Sequence, residues 1–184
     1  MCNPRTRTSD AGASQENKDT DSARRPYARA GVCMRLTKTQ LRAACADVVR
    51  GLAGHASEKI LRTALAGKLR QRGFLCYEEV VLPVLCDGHF VGHNRIDILV
   101  HAPNTGTGKA RYVAALELKA VRESIHDEER AADHIEQAEG YMRCLQTVFA
   151  KTQCLQVFTV NFRRGGGAPE IALQAGAGLR ARRR

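Results

Sequence analysis

The apolar positions of this chain keep a helical spacing over two early segments and then change period. In "TKTQLRAACADVVRGLAG" Leu41, Ala44, Cys45, Val48 and Leu52 fall on one helical face, and Gly51 and Gly54 close the segment. In "SEKILRTALAGKLRQRG" Ser57 is the cap, Ile60, Leu61, Ala64, Leu65, Lys68 and Leu69 mark the faces, and Gly73 is the stop signal. The next stretch, "FLCYEEVVLPVLCDGHFVGHNRIDILV", carries β-branched runs broken by Asp87-Gly88, which predicts a hairpin. A further strand, "YVAALELKAV", follows the glycine-rich loop "HAPNTGTGKAR". A long helix is predicted over about Asp127 to Ala150, with Ile135, Ala138, Met142, Leu145 and Phe149 on one side. "CLQVFTVNF" is then the last strand. Helix, helix, three or four strands, helix, strand is the order of an α/β domain with a central mixed β-sheet flanked by α-helices.

The ends read differently. Residues 1–36 are polar, charged and nearly free of large apolar groups, so a disordered basic tail is expected there. Residues 163–184 predict a flexible Gly/Arg-rich tail around a short apolar piece, "IAL". The single domain is expected over 37–162 of the 184 residues. A net charge of +10 points to an acidic partner, of which nucleic acid is the usual one. That charge is unevenly placed. Residues 37–162 hold 16 Lys and Arg against 14 Asp and Glu, while the two ends hold 13 against 5. The domain is therefore not a simple basic block, and phosphate affinity through charge alone would rest on the tails.

The seven cysteines include no CxxC pair, which argues against a zinc or disulfide framework and for reduced thiols inside a cell. No apolar run approaches the roughly 20 residues of a membrane span. The expected compartment is cytoplasm or nucleus; the acids at 10, 16, 19 and 21 make an organelle address the less favoured reading.

Within "YVAALELKAV", Glu117 and Lys119 interrupt a segment that otherwise wants to be buried. Two residues apart in a strand, they share a face, while Leu116, Leu118 and Ala120 face the other way. The preceding strand is expected to place Ile96, Ile98 and Val100 on one face and Asp97 on the opposite one. If the two strands pair, Asp97 and Glu117 converge with Lys119 beside them. Two carboxylates repel, so a buried pair needs a cation, and Mg²⁺ or Mn²⁺ with oxygen ligands suits them. Lys119 cannot ligate, but it can orient water or offset charge building on a phosphate. The competing reading is an ordinary salt bridge on a solvated sheet.

Other signals are weaker. Gly108-Lys109 does not make a phosphate loop, which would need Gly at 103 and Ser or Thr at 110, where Pro103 and Ala110 stand. His89 and His93 flank the hairpin turn without an evident third ligand and read as surface histidines. No GxSxG pattern or catalytic cysteine is present.

Asp97 followed by Glu117-Leu118-Lys119 resembles the signature of the PD-(D/E)XK nuclease superfamily. The likeness extends over about residues 40–162 and is greatest to its small GxxExxY branch, through "LRQRGF", "YEEVVLPVLCDG", "RIDILV", "ALELKAV" and "HIEQAEGYMRCL". The chain departs from the naming motif at His55 and Leu61, where that branch has glycine and tyrosine, and it enlarges the loop between the two strands. The resemblance implies a restriction-endonuclease-like core and metal-dependent hydrolysis of nucleic-acid phosphodiesters, with DNA as the expected substrate. It implies Asp97, Glu117 and the Leu118 carbonyl as metal ligands and Lys119 as the catalytic lysine. Glu58 becomes an additional catalytic acid, and Gln137 with Tyr141 a RecB-type QxxxY motif lining the substrate site. Without the resemblance, Glu58 is equally a first-turn acid and Gln137–Tyr141 a helical i, i+4 hydrogen bond. The alternative function is a non-catalytic nucleic-acid- or partner-binding module on the same fold.

Overall fold

The computed structural model describes residues 34–52, 56–102, 112–152, 154–164 and 167–178. The expected 1–33 portion of the basic tail and the loop 103–111 lie outside them. Helix α1 spans Lys38–Gly51 and α2 spans Glu58–Gln71. Thr37 caps α1 reciprocally: its hydroxyl accepts the Gln40 N–H at 3.2 Å, and the Gln40 side chain accepts the Thr37 N–H at 2.9 Å. Ser57 caps α2 by accepting the Ile60 N–H at 3.4 Å. Then come β1 (Leu75–Cys86), β2 (His89–His101), β3 (Tyr112–Lys119), α3 (Glu128–Val148), β4 (Cys154–Asn161) and β5 (Glu170–Gly178). Asp87 and Gly88 turn β1 into β2 with φ of 51° and 80°, the left-handed pair that a tight two-residue hairpin requires.

The strands form one mixed sheet in the order β1-β2-β3-β4-β5. All neighbours are antiparallel except β3 and β4, which are parallel because α3 carries the chain back between them. Helices α1 and α2 cover one face, packing Leu41, Cys45, Leu65 and Leu69 against Ile98, Leu116, Leu118 and Phe158. Helix α3 covers the other, packing Met142 and Leu145 against Leu99, Val113, Ala115 and Val157. Covered on both sides, β3 and β4 read as nearly continuous apolar runs. Ile60 and Ile135, counted among the face-marking residues of their helices, are instead 51% and 44% exposed. No described helix is long and apolar enough to cross a membrane.

The side-chain alternation along the first two strands is not continuous. Ile98 and Val100 pack toward α1 and α2, but Ile96 packs toward α3, so the three do not share a face as expected. On β1, Cys76 belongs to the first layer and Leu82 to the second. The break sits at Glu79, whose φ is +53°. The β1–β2 ladder passes from Glu78↔Ile98 to Val80↔Ile96 and leaves Glu79 out of the pairing. Asp97, across from it, is left out as well, so the side-chain alternation of both strands changes at this one unpaired step.

The ordered domain is wider than the sequence predicts. Leu36 is fully buried, and residues 170–178, expected in a flexible tail, are the fifth strand. The pairing with β4 begins at Asn161↔Glu170, where a polar latch forms. Glu170 accepts from the Ile125 N–H and the Ser124 hydroxyl, both at 3.0 Å, and from Asn161 Nδ2 at 3.3 Å. Burial alone would raise its carboxyl, but these donors hold it below the usual range. Asn161, completely buried, also accepts the Val121 N–H and donates to the Glu123 carbonyl. Ile171 is 1% exposed against the α1/α2 layer. Ile171→Ala is therefore expected to cost about 2–5 kcal/mol in urea unfolding, as for a core residue. An unchanged midpoint would return this segment to a mobile tail.

Candidate active site

The pairing of β2 with β3 runs from His101↔Val113 to Ile98↔Leu116. Beyond that point β3 continues beside β4, through Glu117↔Thr159 and Lys119↔Asn161. The next β3 amide facing the fork, Leu118 N–H, needs another partner because a buried donor without one is costly. The Asp97 carboxylate supplies it: Oδ2 accepts the Leu118 N–H at 2.8 Å. Asp97 is 8% exposed and sits where the two strands part.

Glu117 is buried on the face of β3 opposite Leu116 and Leu118, toward α3. Its Oε1 accepts Lys119 Nζ at 2.8 Å and Gln137 Nε2 at 2.9 Å, and its Oε2 accepts the Tyr141 hydroxyl at 2.8 Å. Gln137 also donates to the Tyr141 oxygen at 2.9 Å. The hydroxyl is 3.0 Å from the Arg95 carbonyl as well, so its one proton is shared between two acceptors. Burial and then the Glu117 charge push the Tyr141 hydroxyl far above its ordinary value, keeping it a donor at any neutral pH. Gln137 and Tyr141 thus do make the helical i, i+4 contact, and both also fasten Glu117.

The fork is closed on its other side by α2. Glu58, in the first turn, is exposed, yet its carboxyl is raised by partial burial and then by the field of Asp97. The charges of Lys119, Glu117 and Arg62 act on it too. Burial is likewise the largest influence raising Asp97, with the Leu118 N–H opposing it and Glu117 adding to it. Arg62, which the sequence reading passed over, is 7% exposed. It reaches Asp97 Oδ1 at 3.4 Å and Glu79 Oε1 at 3.1 Å. A charged residue between Leu61 and Leu65 on the inward stripe of α2, one turn after Glu58, was the available signal.

Among the described residues, no three His, Cys, Asp or Glu side chains already form a cage for a metal. The donors at the fork are two carboxylates, each occupied by protein donors. Mg²⁺ retains several waters and needs only one or two carboxylates, so this oxygen-only pair fits it. His89 and His93 are exposed on the hairpin, as expected of surface residues. The Cys45 and Cys76 thiols are pushed up to about 12 by burial, which leaves them unreactive. A cleft of about 500 Å³ between the hairpin and α3 is lined by Asn94, Asp133, Arg143, Gln137 and Tyr141 and so reaches the donors of Glu117.

Asp97 has a pH consequence. With its carboxyl raised in the folded chain, the folded state holds the proton more tightly than the unfolded state. Ionised Asp97 then costs stability above its folded pKa, and the cost is relieved as pH falls toward its ordinary value of 3.8. In metal-free buffer, wild type should gain stability relative to Asp97→Asn as the pH is lowered through that window. A constant difference in urea unfolding across the window would contradict the electrostatics described.

A search of curated proteins finds no match for this sequence. The family model of the PD-(D/E)XK nuclease superfamily matches residues 35–164, a span that includes the fork, both helices beside it and β4. The five-stranded mixed sheet with three helices has the restriction-endonuclease-like architecture of that superfamily, whose members are mostly nucleases and generally use divalent metal ions. The chain belongs to the PD-(D/E)XK nuclease superfamily.

Proposed function

We propose that the protein is a divalent-metal-dependent nuclease that hydrolyses phosphodiester bonds in DNA, of the GxxExxY type with a RecB-like QxxxY pair. The observation that carries this reading is the coincidence of Asp97, Glu117 and Lys119 at one strand fork within a chain of this superfamily. Asp97 and Glu117 are the proposed ligands of Mg²⁺ or Mn²⁺, with the Leu118 carbonyl as a third. When bound, the ion would polarise a phosphoryl oxygen and lower the pKa of water.

The remaining work falls to this chain's own groups. Gln137 and Tyr141 hold both oxygens of Glu117 from α3, which fixes the direction in which its free lone pairs point. The Leu118 N–H does the same for Asp97. Lys119, half-buried, carries its ammonium 2.8 Å from Glu117. There it can donate to attacking water and stabilise negative charge building on the phosphate. Glu58, whose carboxyl is raised by partial burial and then by Asp97, is the proposed acceptor of the proton that water gives up. Nucleic acid is the proposed partner, entering along the cleft beside Gln137 and Tyr141.

A second reading keeps the fold and loses turnover: a nucleic-acid-binding module. It is favoured by the guanidinium already on Asp97. Cleavage of linear and circular DNA, in single and double strands, separates the two. With Mg²⁺ or Mn²⁺, wild type should cut and EDTA should stop it. Lys119→Ala should keep the fold while losing on the order of 10²–10³-fold in rate, the scale of one lost transition-state donor. Asp97→Ala should lose the metal as well. DNA bound but uncut by folded wild type would select the binding module.

A further inference from the structure

Arg62 is in a position that stability alone does not explain. Its side chain is 8% exposed, and its Nε is buried with no hydrogen-bond partner. A guanidinium built into a core for support would satisfy its whole fork of donors. Instead it divides two contacts between two acids, Nη1 to Asp97 Oδ1 at 3.4 Å and Nη2 to Glu79 Oε1 at 3.1 Å. Glu79 is itself unusual. Its backbone is left-handed at φ +53°, a conformation that a glutamate seldom adopts, and it leaves the ladder across from Asp97. That break gives Glu79 a half-open place from which its carboxylate meets Arg62 and, at 3.7 Å, Arg95.

We infer that Arg62 is the resident cation of the metal-free site, holding Asp97 until a divalent ion takes that carboxylate and then remaining paired with Glu79. The inference rests on the nuclease reading, since it concerns the same Asp97. A guanidinium and a divalent ion repel strongly at such short range in a half-buried place, so they compete for one carboxylate. Arg62 therefore weakens metal binding, and Glu79 opposes Arg62 by giving it somewhere else to pair. Arg62 is a positioning residue, acting through Asp97.

The two residues should move metal affinity in opposite directions. In titrations of the full chain with Mn²⁺ alone, followed by the electron paramagnetic resonance of the free ion, Arg62→Met should tighten binding at least about fivefold, the low end of coupling between two sites. Glu79→Gln should weaken it. Without metal, Arg62→Met should melt lower than wild type, because Asp97 loses its cation, and saturating Mn²⁺ should raise its melting temperature by more than it raises that of wild type. A merely structural arginine would lower both melts equally and leave Mn²⁺ affinity unchanged, which would overturn the inference. If Arg62→Met fails to fold, Glu79→Gln decides, and unchanged or tighter binding refutes the exchange. Wild type that binds no Mn²⁺ at all would instead remove the nuclease reading, a distinct outcome.

Discussion

Two buried carboxylates held where a pair of antiparallel strands separates are the constraint around which the domain is arranged. β2 and β3 pair only as far as Ile98↔Leu116, and the opening leaves a backbone amide to be satisfied. Asp97 satisfies it and in doing so is fixed in the fork. Glu117 follows one residue past the last pair and is fixed from the other side by α3. Acids gathered in this way are costly when buried, and each is matched by a cation, Arg62 for Asp97 and Lys119 for Glu117. The rest of the fold supplies the walls: α2 brings Glu58 and Arg62, α3 brings Gln137 and Tyr141, and β4 holds β3 straight along its whole length.

Much of this was legible in the residues. The helical stripe of Leu41, Ala44, Cys45 and Val48 and the Asp87-Gly88 turn are local signals, and local physics decides them. So is the period-2 placement of Glu117 and Lys119, which meet at 2.8 Å as their spacing predicts. What was not legible depended on distant partners. "EIALQAGAG" has little strand propensity of its own; β5 forms because β4 offers a ladder and Glu170 meets donors from the β3–α3 connection and from Asn161. The left-handed turn of Glu79 has no sequence signature, since glutamate rarely adopts it, so the change of face at Ile96 was out of reach.

Arg62 lies between these cases. It stood in plain view on the inward stripe of α2, but a long side chain at such a place usually runs its stem along the core and leaves its head in water. Only the fold shows that the head is buried and aimed at Asp97. The same holds for Gln137 and Tyr141. Their spacing alone gave a helical hydrogen bond, and that bond exists, yet the two also grip Glu117 from a helix that the sequence could not orient.

The central claim is that the fork between β2 and β3 is a divalent-cation site. Anomalous diffraction from a crystal grown or soaked with Mn²⁺ tests it most directly. If Asp97 and Glu117 hold the ion, one strong Mn²⁺ peak should lie at the fork beside these two carboxylates. A fully occupied ion elsewhere, such as on His89 and His93 of the hairpin, or an empty fork at saturating Mn²⁺, would contradict it.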